Sequence, residues 1–75
     1  MKKTKEEVLE IIKKELAIDE LVYDQVGQWD SLDIITVLMA LDVAYEEGLK
    51  DILELQTVKT PKEIVDVLAN HGLIS

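Results

Sequence analysis

Ser31 stands between Asp30 and Leu32, with Asp33 two residues on, at the point where a long irregular stretch gives way to an apolar helical run. It falls immediately after a predicted N-cap, at the first helical position, and follows Trp29, the only tryptophan of the chain. A hydroxyl there is exposed at the positive end of a helix. Unpaired backbone N–H groups and the helix dipole favour an anion at such a place, so a phosphodiester on Ser31 would be accommodated without a basic pocket. Serine near a helix start is also common without any function. Other candidate chemistry is sparse. There is no cysteine nucleophile, and the single histidine, His71, lies in the predicted last turn, where a cation suits a helix C-terminus. A Ser31–His71 hydrolase pair would need an oxyanion hole that nothing in the chain suggests. Glu46 and Glu47 are adjacent, so on a helix they point in different directions and read as solvated surface. Asp19, Glu20 and Asp24 lack the spacing of a calcium loop, and one histidine without cysteine forms no metal cluster.

The elements that must position Ser31 follow from caps and periodicity. Thr4 with Glu7 forms a capping box, and Val8, Leu9, Ile12 and Leu16 repeat at helical spacing, which predicts a helix over 5–16. From Ala17 to Asp30 the helical period is lost. Ile18, Leu21, Val22, Tyr23, Val26 and Trp29 are interspersed with Asp19, Glu20, Asp24, Gln25 and Gly27, and predict a long loop pinned by apolar anchors, a length that is often functional. Trp29 either fixes the approach to Ser31 or belongs to the core. Asp30 as N-cap and the run Leu32, Ile35, Leu38, Leu41 and Tyr45 predict a central helix over 31–46, with Gly48 placed to end it. Leu49 to Leu55 has room for a short helical turn or two. Thr60, Pro61 and Glu63 give a capping box with proline at the first helical position, so a last helix is expected over about 61–70, capped by Gly72. The expected fold is therefore all-α: three helices plus a short one in a single domain spanning 1–75.

Composition limits what such a fold does. Apolar residues make up 48% and charged residues 32% of 75 positions, enough for one core. A domain of this size buries only about 60% of the surface its unfolded chain exposes, which leaves little for a deep catalytic cavity. An enzyme is therefore the less expected reading. Eight lysines and no arginine face sixteen acids, for a net charge of −8. The acidity is uneven: residues 1–17 sum to +1 and residues 18–75 to −9. Nucleic acid is discarded as a ligand because such a chain would be repelled by phosphates. The absence of cysteine suits a reducing compartment, no signal peptide is visible, and the most apolar stretch, from Ile34 to Leu41, is too short to span a bilayer. A cytoplasmic monomer without membrane insertion is expected.

The run Gly27-Gln28-Trp29-Asp30-Ser31-Leu32-Asp33, leading into Ile34-Ile35-Thr36-Val37-Leu38-Met39-Ala40-Leu41-Asp42, resembles the acyl carrier protein family. In that family an Asp-Ser-Leu motif opens the second helix and its serine bears phosphopantetheine. Length, acidity, the long first loop, helix order and Thr57-Val58 before the last helix fit as well, so the resemblance covers nearly the whole chain. It implies a four-helix bundle with a short third helix. It implies Ser31 as the attachment site for 4′-phosphopantetheine, with Asp30, Leu32 and Asp33 as the recognition motif. The implied partners are a phosphopantetheinyl transferase, an acyl- or aminoacyl-loading ligase, and downstream synthases or transferases of lipid, polyketide or related biosynthesis. An acyl chain would slide between the second helix and the later short helices, with Val37, Leu38, Leu41, Leu53, Leu55 and Ile64 as candidate lining residues.

Two features depart from the family pattern. Carriers of bacterial fatty-acid synthesis present several glutamates along the second helix, whereas here Asp33 is followed on its face by Thr36, Ala40, Val43 and Glu47. With Met39 these are the candidate docking residues, and they imply weaker ionic docking and a larger apolar contribution. Gly48-Leu49-Lys50 also replaces the expected acidic, proline-containing connection. The neutral face implies a specialised carrier, and Trp29 before Asp-Ser-Leu, familiar from stand-alone carriers of secondary pathways, points the same way. The rival expectation is a helical interaction module that keeps the fold without the arm and makes contact through Met39, Ala40 and Val43.

Overall fold

The computed structural model describes residues 2–21, 23 and 29–75. In order, the elements are α1 (Lys5–Leu16), α2 (Ser31–Ala44), a 3₁₀ turn (Leu53–Thr57) and α3 (Pro61–Asn70). The described residues are all-helical, with three α-helices and no strand. One isolated parallel bridge, Lys3 to Ile74, draws the two ends of the chain together. The loop residues Val22, Asp24, Gln25, Val26, Gly27 and Gln28, including the first two of the seven-residue run, lie outside the described residues.

All three helices start where their caps predict. The Thr4 hydroxyl accepts from the Glu7 N–H at 3.1 Å, and Glu7 reaches back to the Thr4 N–H at 3.0 Å. At α3 the Thr60 hydroxyl accepts from the Glu63 N–H at 3.1 Å. Glu63 returns one residue further than a capping box requires, to the Lys59 N–H at 3.0 Å. The next N–H of that turn, that of Lys62, donates to the Tyr23 carbonyl at 2.8 Å, which ties the long loop to the head of α3.

The helices also end alike, and here one expectation is corrected. After α3, the Leu73 N–H returns to Leu68 O at 2.8 Å and the Gly72 N–H to Ala69 O at 3.0 Å, with Gly72 at φ 74. This is a Schellman cap on glycine, as the sequence predicts. α2 stops at Ala44, short of the expected 46, and the left-handed position is taken by Glu46 (φ 57), followed by Glu47 (φ 62). Gly48 serves differently: a Cβ there would lie 2.9 Å from Tyr45 O, the carbonyl its own N–H reaches at 3.0 Å. The turn is then clamped by Asp42, whose Oδ1 accepts from the Leu49 N–H at 3.0 Å. α1 uses Ala17, at φ 55, in the same left-handed role.

Between these ends lies one core. Val8 and Ile12 of α1, Val37 and Leu41 of α2, and Ile64, Val65 and Leu68 of α3 are buried together with Tyr45, Leu49, Ile52, Leu55 and Val58. The Tyr45 hydroxyl donates to Leu73 O at 2.9 Å, so the chain end also closes over the foot of α2.

Candidate functional site

The first turn of α2 is built by two carboxylates. Asp30 Oδ1 accepts from the Asp33 N–H at 2.9 Å, and Asp33 Oδ2 lies 3.4 Å from the Asp30 N–H. This reciprocal box engages the third N–H of the helix. The Ser31 and Leu32 N–H groups remain as first-turn donors without an intrahelical acceptor. Ser31 itself is exposed. Trp29 is half-buried against the core and shares a cleft with Leu16, Ile18, Glu20 and Asp33, so its ring anchors the end of the loop against the foot of α1. It thus packs on the α1 side of the α2 start.

Ser31 borders a separate cavity of about 220 Å3. Ile34, Ile35, Gln56, Thr57, Val58 and Lys59 complete its wall, which is largely apolar with one cation. Further along α2 a second apolar cleft of about 200 Å3 runs between the helix and the segment after it, lined by Leu38, Met39, Asp42, Leu49, Lys50, Ile52, Leu55 and Gln56. Gln56 faces both. The structure therefore brings Leu38 and Leu55, of the expected lining residues, to a cleft wall. Val37, Leu41 and Ile64 are fully buried in the core, and Leu53 is 68% exposed.

The expected docking residues divide in a similar way. Thr36, Met39 and Val43 are exposed on α2, while Asp33 and Ala40 are half-buried. Glu47 lies past the helix end, where Lys50 is bonded to it at 2.8 Å and holds its carboxyl below the usual range. His71 pairs with Glu54 across 3.1 Å and not with Ser31, which makes it a tie between the end of α3 and the 3₁₀ turn. Glu54's own backbone N–H, and then His71, hold that carboxyl below its ordinary value.

Gln56 and Lys59, which reach the Ser31 cavity from beyond the 3₁₀ turn, were not singled out from sequence, nor was the outward facing of Leu32 and Ile35, which the apolar run assigned to the helix. They are 73% and 52% exposed. The signal for the latter pair was present, since α2 carries apolar residues on more than one face. No helix among the described residues is long and apolar enough to cross a membrane. Comparisons with protein-family models, with curated proteins and with solved structures find no match to this chain.

Proposed function

We propose that this protein is an acyl or aminoacyl carrier whose Ser31 bears a 4′-phosphopantetheine arm. The observation that carries the reading is an exposed hydroxyl at the first position of α2, on the lip of an apolar cavity that also holds one lysine. The residues suit the group. The Ser31 and Leu32 N–H groups and Lys59 offer the phosphodiester favourable partners. Gln56 and Thr57 can hydrogen-bond the amides of the arm, and Ile34, Ile35 and Val58 supply apolar wall. When bound, the arm contributes a thiol that activates the cargo as a thioester. On this reading the 3₁₀ turn takes the place of the short third helix of a carrier-type four-helix bundle, and the cleft beyond Gln56 shelters a short acyl chain.

The chain's own part is positioning. In attachment the Ser31 oxygen attacks the diphosphate of coenzyme A, its proton passes to a base on the transferase, and the adenosine bisphosphate portion leaves. Asp30 and Asp33 hold the helix start rigid around that oxygen and present the acidic recognition motif. The protein then delivers its thioester to cytoplasmic partner enzymes and turns over nothing alone. A helical interaction module without the arm is the second reading, favoured by the exposed apolar side chains of α2.

Incubation with coenzyme A, magnesium and a broad-specificity phosphopantetheinyl transferase, followed by intact mass, tests the proposal. One added arm on the wild type and none on Ser31→Ala supports it. A folded wild type that several transferases leave unmodified supports the interaction module.

A further inference from the structure

The cleft beside Trp29 is separate from the Ser31 cavity. It measures about 270 Å3 and is walled by Leu16, Ile18, Glu20, Trp29 and Asp33. An aromatic ring and two aliphatic side chains thus share one concavity with two carboxylates, and no lysine borders it. Lys13 and Lys14, in the last turn of α1, line a different cleft, where Lys13 is held by Glu10 at 2.9 Å. Glu20 has neither an ion pair nor a hydrogen bond among the described residues. Asp33 places Oδ2 at 3.4 Å from the Asp30 N–H and keeps Oδ1 as an acceptor.

These walls select an occupant. A bare metal ion gains nothing from Trp29, Leu16 and Ile18, and no group of three or more His, Cys, Asp or Glu side chains suited to a metal forms among the described residues. A neutral apolar molecule satisfies the ring and the aliphatic wall, but it strips water from Glu20 and Asp33 without replacing the lost hydrogen bonds. An anion is repelled. An alkylammonium ion meets both demands, because its charge faces the carboxylates and its carbon substituents lie against Leu16 and Ile18. The π-system of an indole attracts such a cation further. At about 270 Å3 the cleft falls below the roughly 300 Å3 at which drug-sized sites begin, so its ligand is small.

We propose that the Trp29 cleft binds a small N-alkylated ammonium ion, held by the indole ring and by the carboxylates of Glu20 and Asp33. Asp33 is also one half of the reciprocal box that starts α2, so occupancy is felt in the turn that carries Ser31. The same chemistry is found in free amines and in the headgroup of phosphatidylcholine, and the free ion fits a cleft of this size. The inference does not require Ser31 to be modified, so the two are tested separately.

Trp29 is the only tryptophan, so its fluorescence reports the cleft directly. Choline, titrated into the full chain at constant ionic strength, is expected to give a saturable change. Its neutral isostere, with carbon in place of nitrogen, is expected to bind at least about tenfold more weakly. Glu20→Gln, at an exposed position, is expected to keep the melting temperature and to weaken choline about two- to fivefold. In isotope-labelled protein the shifted amides are expected at 16–20 and 29–33. Trp29→Leu is expected to abolish those shifts, and Glu20→Gln with the isostere decides the question whether or not that variant folds. Ser31→Ala is expected to bind choline as wild type, so a chain that takes no arm yet binds choline overturns the carrier reading alone. The ligand proposal is overturned by a lack of saturation below about 100 mM choline. Equal binding of the isostere, unchanged affinity in Glu20→Gln, or shifts that map away from the cleft overturn it as well. So does binding of phosphatidylcholine vesicles in the absence of choline binding.

Discussion

α1 and α3 each bury one apolar stripe and turn charge to solvent, whereas α2 has two apolar faces and buries only one. In α3, Ile64, Val65 and Leu68 are in the core while Lys62, Glu63 and Asp66 are exposed. α1 repeats this with Val8 and Ile12 inside and Glu6, Glu10 and Lys14 outside. Within α2 the only charged residues are Asp33 and Asp42, and both make backbone contacts that shape its ends. The two outer helices are composed for stability. α2 holds its outer face in a form that packing does not require, and that surplus begins one residue from Ser31.

The largest test of this contrast compares the two faces of α2 directly. Leu41→Ala, on the buried face, is expected to cost about 2–5 kcal/mol, while Val43→Ala, two residues away on the outer face, stays within about 0.5 kcal/mol. Urea unfolding followed by circular dichroism reads both, and equal losses would show that the outer face is structural. Next in size is the cap: Asp30→Ala is expected to cost about 1 kcal/mol and to slow arm transfer to Ser31, because the same side chain sets the helix start.

The helix ends give smaller effects of opposite sign. Glu46→Gly and Ala17→Gly relieve left-handed backbone at positions where a Cβ is unfavourable, and each is expected to stabilise by roughly 0.5–1 kcal/mol. Gly48→Ala is expected to destabilise, because the new Cβ would meet Tyr45 O at 2.9 Å. A thermal melt of the three variants checks the pattern, which fails if all three shift the same way.

The smallest effect is electrostatic and belongs to α1. The Thr4 N–H, and then its hydroxyl, hold the Glu7 carboxyl below its ordinary value. A lowered folded-state pKa contributes stability that is complete above the unfolded value, near pH 4.5, and lost as pH falls through the folded one. Glu7→Gln is therefore expected to flatten the decline in stability below about pH 4.5 and to leave its shape above that pH unchanged. An unaltered acid limb in denaturation curves of the variant would remove Glu7 from the account.

What could be read from sequence follows from how local each signal is. Thr4 with Glu7, Asp30 with Asp33, and Thr60 with Pro61 carry their partners within three residues, so every helix start was legible, and with them the placement of Ser31. The end of α2 was not. Its left-handed residue is a glutamate, a type that gives no such signal, and the glycine two positions later is needed for close approach to a carbonyl. Nor could the buried face of α2 be chosen from periodicity, because Leu32 and Ile35 belong to a run as regular as the one that enters the core. Lys59 and Gln56 reach the Ser31 cavity through the turn after Tyr45, and no spacing along the chain encodes that return.

The central claim is that Ser31 carries an arm and the arm carries cargo. Intact mass of the protein purified from the cells that make it, before and after hydroxylamine, addresses both parts at once. The account predicts one 4′-phosphopantetheine located on Ser31 by fragmentation, with an additional mass that hydroxylamine removes. A population that is wholly unmodified, or modified elsewhere, would contradict it.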